Sequence, residues 1–172
     1  LVRFMVDANS RISLSNNDSG VDNTVFGKEA GYSIASGGNY NTMLGRTAGK
    51  LLTTGDENVY VGTYAGVFNV TGGSNTAIGY SSQAGGSGNT AIGYKSMTGF
   101  NDVNCLRNTA IGFDTMSQGG ASNPSDNTAV GYKALRGVNH NDGDNNVAIG
   151  SSALTALTSG TANVAVGSSA GL

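Results

Sequence analysis

One five-residue block recurs nine times in this chain of 172 residues, and it limits the possible folds more than any other feature. The block reads Asn, then Thr or Val, then a residue that is often Ala, then a large apolar residue, then Gly. It starts at Asn23, Asn41, Asn58, Asn75, Asn89, Asn108, Asn127, Asn146 and Asn163, at spacings of 18, 17, 17, 14, 19, 19, 19 and 17. Such a unit is too short for a helical repeat, or for a propeller blade of ~40 residues. It fits two short strands and two turns, which is one coil of a solenoid. The expected fold is therefore all-β, a parallel β-solenoid of nine short coils over residues 23–172. Residues 1–22 form a separate leader, in which VRFMVD and RISLS read as two strands joined by a turn that cap or link the first coil.

Alternation along the block predicts which side chains face inward. The second position is always Thr or Val, and the fourth is Phe26, Leu44, Val61, Ile78, Ile92, Ile111, Val130, Ile149 or Val166. Residues two apart on a strand share a face, and these large residues are assigned to the coil interior. Aspartate at Ile92 or Ile111 is then expected to abolish the folded assembly. The third position, mostly Ala, is assigned to the outside, where another surface approaches closely.

The block glycine, which is Gly79, Gly93, Gly112, Gly131 and Gly150 in the middle repeats, marks a corner. Such a corner needs φ > 0 or has no room for a Cβ. The block Asn tolerates turn conformations. Stacking aligns Asn75, Asn89, Asn108, Asn127 and Asn146 with their counterparts into a ladder of amides. Just after the Gly, repeats four to seven carry Tyr80, Tyr94, Phe113 and Tyr132. This aromatic row has three readings: a structural ladder, a subunit contact, or an exposed platform for sugar rings. Four residues after the Gly stand Met97, Met116, Leu135 and Leu154 in repeats five to eight, but Gly31, Gly49, Gly66 and Gly171 in repeats one to three and nine. This row is also read as outward, and as widening the middle coils.

Composition narrows the function. Nine Lys and Arg against eleven Asp and Glu give a net charge of −2 with no basic cluster, which argues against a nucleic-acid partner. No apolar run approaches ~18 residues, so no membrane insertion by a helix is expected. The single Cys105 cannot form an intrachain disulfide. A core this thin, without disulfides, points to oligomerisation. The Ala face, the Met and Leu row and the aromatic row are the candidate contacts, with a three-fold bundle as the preferred closure.

Few residues are arranged for chemistry. GRTAGK at Gly45 is one residue short of a phosphate loop, and Leu51 stands in place of its Ser or Thr. No His lies near the recurring serines, and no carboxylate pair recurs at a fixed repeat position. The loop NHNDGDNN is the most acidic cluster, and Asn141, Asp142 and Asp144 are weak candidates for Ca²⁺ oxygens. His140 at a three-fold axis is a further metal candidate. No catalytic residue and no cofactor are assigned. Residues 117–126 are read as a surface loop.

NVAIGSSAL and NVAVGSSAG resemble the head repeat of the YadA-type trimeric autotransporter adhesins, and NTAIGYKS and NTAVGYKAL resemble its variant in phage tail-fibre proteins. The resemblance covers residues 23–171. It implies a left-handed β-roll assembled as a homotrimer. It implies a non-enzymatic structural and attachment segment of a phage or viral tail fibre, extracellular on the virion. Neighbouring fibre or virion proteins and a host-surface glycan or protein would be its partners. The alternative is the head of a bacterial surface adhesin that binds host matrix or cells. An ice-binding solenoid is a third possibility, disfavoured by the inward assignment of the Thr row; outward Thr residues would revive it.

Overall fold

The computed structural model describes residues 20–99, 104–117, 123–137, 143–155, 157 and 160–171, with the backbone of two strands before them. Those two are β1 (Phe4–Val6) and β2 (Ile12–Leu14), an antiparallel pair in which Phe4 faces Leu14. Nine three-residue strands follow. They are β3 (Thr24–Phe26), β4 (Thr42–Leu44), β5 (Val59–Val61), β6 (Thr76–Ile78), β7 (Thr90–Ile92), β8 (Thr109–Ile111), β9 (Thr128–Val130), β10 (Val147–Ile149) and β11 (Val164–Val166). Each occupies positions two to four of one block. They pair in parallel and in sequence order as a single nine-stranded sheet, so every block position stacks on its counterpart. The chain is a β-solenoid, and no helix occurs among the described residues.

Two devices hold the register. The first is the amide ladder. Each block Asn accepts, at Oδ1, both the backbone N–H and the side-chain amide of the next block Asn, as Asn108 does from Asn127 at 3.1 Å each. Its own Nδ2 also donates to a carbonyl in the connection of the next coil, at Pro124 for Asn108 and Gly143 for Asn127. Asn75, Asn89, Asn108, Asn127 and Asn146 are all buried. A buried amide survives only when its donors and acceptors are met, and here each rung meets its neighbour's.

The second device is the corner glycine. Gly79, Gly93, Gly112, Gly131 and Gly150 have φ of 126°, 130°, 140°, 132° and 130°, a region that side chains rarely enter. They also stack without a gap. A Cβ on Gly79 would meet the carbonyl oxygen of Gly93, one on Gly93 that of Gly112, and one on Gly150 that of Gly167. At Gly112 the distance to the Gly131 oxygen would be 2.5 Å. The sequence offers φ > 0 or lack of room as alternative reasons for this glycine. In all five middle coils both apply at once.

The interior reverses the sequence-based assignment. Third-position side chains point inward: Met43, Tyr60, Ala77, Ala91, Ala110, Ala129 and Ala148 are fully buried. Second- and fourth-position side chains point outward, Ile78, Ile92, Ile111, Val130 and Ile149 among them. The Met97, Met116, Leu135 and Leu154 row, read as outer, is likewise interior. The reason is size. A coil with one three-residue strand has a cross-section that holds about one large side chain per rung. Two large β-branched residues per strand do not fit, and they lie on the outer face instead.

Volume is compensated between two positions in repeats one to three and five to eight. Where the third position is large (Val25, Met43, Tyr60), the residue four after the corner is Gly31, Gly49 or Gly66. Where the third position is Ala91, Ala110, Ala129 or Ala148, that residue is Met97, Met116, Leu135 or Leu154. The two positions fill one space from opposite sides, so the middle coils are not wider than the first three. Interiors tolerate such exchanges when total volume is kept. Polar atoms inside are paired too: the Ser82 and Ser96 hydroxyls donate to the carbonyls of Ala91 and Ala110 at 2.7 and 2.9 Å.

Candidate functional site

The outward positions make a sheet face of one apolar row and one row of Thr and Val. The fourth-position row runs from Phe26 and Leu44 through Val61, Ile78, Ile92, Ile111, Val130 and Ile149 to Val166, in register on adjacent strands. Beside it runs the second-position row: Thr24, Thr42, Val59, Thr76, Thr90, Thr109, Thr128, Val147 and Val164. At ~4.8 Å per strand the face extends roughly 38 Å. Ile78, Ile111 and Ile149 remain 37–40% exposed even with a neighbouring strand on each side. One solvated apolar side chain is ordinary, whereas a row of them along one sheet makes this face the candidate interaction surface.

The aromatic row borders this face, one residue past the corner glycines Gly79, Gly93, Gly112 and Gly131. Tyr80 and Tyr94 stack at 5.4 Å and 12°, Tyr94 and Phe113 at 4.7 Å and 16°, and Phe113 and Tyr132 at 5.7 Å and 29°. Tyr64 closes one end edge-on to Tyr80 at 5.9 Å, and the Lys133 ammonium covers Tyr132 at 4.9 Å. The row ends there, because Ser151 and not an aromatic follows Gly150. The ring faces are thus spent on one another and on a cation. The rings form a stacked ladder, and Tyr80, Tyr94, Phe113 and Tyr132 stay 40–49% exposed at its outer side. What the ladder offers outward is ring edges and hydroxyls.

Charges lie outside the coil and pair between rungs. Arg107 grips the Asp126 carboxylate with two bonds of 2.7 and 2.8 Å, and Arg136 pairs with Asp114 at 2.9 Å. The Arg107 guanidinium holds the Asp126 carboxyl below the usual carboxylate range. Lys50 does the same to Glu29 across 2.8 Å, by hydrogen bond first and charge second. In the interior, burial pushes the Tyr60 phenol well above its ordinary value, although its oxygen accepts a 2.6 Å bond from Asn69.

The remaining sequence candidates fall in three places. Asn141, Asp142 and His140 lie outside the described residues. Asp144 is described, and its Oδ1 accepts the backbone N–H of Ser125 at 2.8 Å, a bond between neighbouring coils. The same position in other coils works alike: the Asp56 carboxylate accepts from Asn39 N, and Asn39 Oδ1 from Val21 N. This second ladder, two residues before the block Asn, is hidden in the sequence because its members differ in type (Asn39, Asp56, Ser87, Asp144), although all of them can accept. Of residues 117–126, read as a surface loop, 118–122 lie outside the described residues, and the described ends are tied to the coil. Ser117 is buried, and the Pro124 carbonyl accepts from the Asn108 ladder. Cys105 is buried in the interior, and Gly45 of GRTAGK is a corner glycine with φ 135°. Among the described residues no group of three His, Cys, Asp or Glu is placed to hold a metal, and no helix is long and apolar enough to cross a membrane.

No protein-family profile, curated protein or solved structure matches this chain. The fold is a β-solenoid; what it does is argued from the outer face.

Proposed function

We propose that this chain is a non-enzymatic structural and attachment segment of a homotrimeric fibre, three solenoids packing about an axis with the Ile and Val row turned inward. The observation that carries this reading is the exposed fourth-position row, an apolar stripe along the whole sheet. Burying such a stripe is favourable by roughly 25 cal/mol per Å² of apolar area removed from water. It also gives a thin solenoid the thickness it lacks alone. The repeat's resemblance to tail-fibre and trimeric-adhesin heads supports the same arrangement. It favours an extracellular place on a virion, with a bacterial cell surface as the alternative. In either setting the connections of unequal length between coils, with host-surface glycan or protein as target, carry the attachment.

Sedimentation equilibrium and native mass spectrometry test this directly. A trimer of the 17.2 kDa chain is expected. A monomer at micromolar concentration overturns the reading.

The outward Thr row gives a second reading some support, because flat threonine rows suit ice binding. Its row is interrupted by Val59, Val147 and Val164, and it is bordered by Ile and Val rather than by a second Thr row. Thermal hysteresis from a monomeric chain would favour ice binding over the fibre.

A further inference from the structure

We propose that the groove beside Arg46 and Lys50, on the first three coils, binds a carboxylate-bearing sugar residue of an acidic polysaccharide. The inference rests on the attachment reading and names the ligand class and the place.

The groove has about 390 Å³ of space and opens to solvent, within the range of small-molecule sites. Its lining divides by chemistry. Val67 and the half-exposed Phe68 supply an apolar wall, while Arg46, Lys50, Glu29 and Tyr64 supply the polar groups. This is the mixture that a pyranose ring requires: an apolar C–H face on one side and oxygens around the rim.

The charge at this corner selects an acid. Arg46 and Lys50 line the groove with Glu29 as its one carboxylate, two cations to one anion, and Lys28 acts on Glu29 from nearby, in a chain whose net charge is −2. Glu29 occupies Lys50 at 2.8 Å. Arg46 is bound differently. Its Nη1 donates to the Tyr64 hydroxyl at 2.9 Å, and its guanidinium lies 5.5 Å from the Tyr64 ring centroid. An arginine has five N–H donors in a planar fork, so this contact fixes the group and leaves donors for a bidentate carboxylate. The aromatic ladder shows the contrast. Its ring faces are filled from Tyr80 to Tyr132, whereas Phe68 lines the same groove as Arg46.

Titration calorimetry of the native assembly with trigalacturonate, its methyl ester, inorganic sulfate and triglutamate tests the proposal. Trigalacturonate is expected to bind in the millimolar range or tighter, with at least tenfold loss for the methyl ester and for Arg46→Met. Glu29→Gln, which releases Lys50, is expected to tighten binding severalfold. Tyr132→Leu, at the far end of the ladder, is expected to leave binding unchanged. Equal affinity for sulfate or triglutamate would overturn the sugar assignment. Undiminished binding by an Arg46→Met protein with native circular dichroism would overturn the site. If that variant does not fold, the native protein decides: binding that does not weaken between 50 and 500 mM salt overturns the ionic recognition. Sedimentation of the same samples separates the two readings. A trimer without binding refutes the groove alone, and a monomer that binds refutes the fibre alone.

Discussion

Gly66 lies directly against the ring of Tyr60: a Cβ on Gly66 would stand 2.6 Å from Cδ1 and Cε1 of that ring. Repeats five to eight make the opposite choice, with Ala at the Tyr60 position and Met or Leu at the Gly66 position. Gly66 has φ 58° and Met97 φ 53°, so the same backbone serves both solutions. Tyr60→Ala alone is expected to cost about 3–5 kcal/mol, as other large aromatic truncations do. Gly66→Met alone overpacks the coil and destabilises it as well. The double variant Tyr60→Ala with Gly66→Met rebuilds a middle-type coil and is expected to recover most of both losses. Urea denaturation of all four proteins measures the coupling. Simple additivity would refute the shared space.

The amide ladder is expected to show at a single rung. Asn108→Ala removes the acceptor of the Asn127 backbone N–H and the donor to the Pro124 carbonyl, both buried. At about 1–3 kcal/mol for each orphaned group, the loss is at least ~2 kcal/mol. Hydrogen exchange checks the cause, since the Asn127 amide should lose protection more than amides three coils away. Asn163→Ala at the end of the ladder is expected to cost less. Its amide and backbone N–H bond Asn146 at 2.8 and 2.9 Å, and no further block Asn follows among the described residues.

Gly112→Ala and Gly167→Ala separate sterics from backbone strain. Their φ values, 140° and 129°, are nearly the same, so each alanine meets a similar conformational cost of about 1–3 kcal/mol. Only at Gly112 would the Cβ meet the next coil, 2.5 Å from the Gly131 oxygen; at Gly167 the nearest atom is Ala170 Cβ at 4.0 Å. Gly112→Ala should therefore melt far below Gly167→Ala, and Gly79→Ala, Gly93→Ala and Gly150→Ala should behave like Gly112→Ala, since each faces the next corner carbonyl. Equal melting temperatures would mean that φ alone requires the glycine.

These contrasts also explain what is readable from sequence. The nine parallel strands, their stacking in sequence order, the Asn ladder, the Gly corner and the aromatic stack follow from identity at fixed positions, because in-register stacking repeats the same side chain at each rung. The two faces of the strand come out reversed. Alternation separates Ala110 from Thr109 and Ile111 but does not say which side is inside, and the rule that large apolar residues are interior fails when the interior is one residue wide. The signal that settles it is present in the sequence: Gly49 pairs with Met43 and Gly66 with Tyr60, while Met97 pairs with Ala91 and Met116 with Ala110. That compensation only makes sense if the two positions share an enclosed space. The groove at Arg46 is not legible, since it joins recurring positions of three coils whose residue types change from coil to coil: Glu29, Thr47 and Tyr64 all stand two after the corner glycine.

The Arg107–Asp126 pair gives a pH dependence of known sign. The folded-state carboxyl is held below its unfolded value, so the contribution is present at neutral pH and fades as pH falls through the lowered value. Both groups face solvent, so the effect on stability is small. Carbonyl-detected NMR titration is the sensitive measurement. Asp126 should titrate below the ordinary ~3.9. Arg107→Gln should return it toward that value, and an unmoved midpoint would contradict the pairing.

Ala110 and Ile111 are neighbours on β8 with opposite tasks, and aspartate at each should fail in a different way. Ala110 is fully buried, so Ala110→Asp places a carboxylate in the coil among groups whose hydrogen bonds are already committed. The expected result is loss of the folded chain, seen as loss of the β signal in circular dichroism. Ile111 is 38% exposed on the sheet face. Ile111→Asp leaves the carboxylate hydrated in a single solenoid, so the β signal should persist. In a trimer closed by that face, three such carboxylates would be brought together without counter-ions, and sedimentation should show monomers. Ile92→Asp, one rung away on the same row, should repeat this outcome. A folded Ala110→Asp would contradict the inward alanines. A fully assembled Ile111→Asp trimer would move the contact to another face and leave the apolar row unexplained.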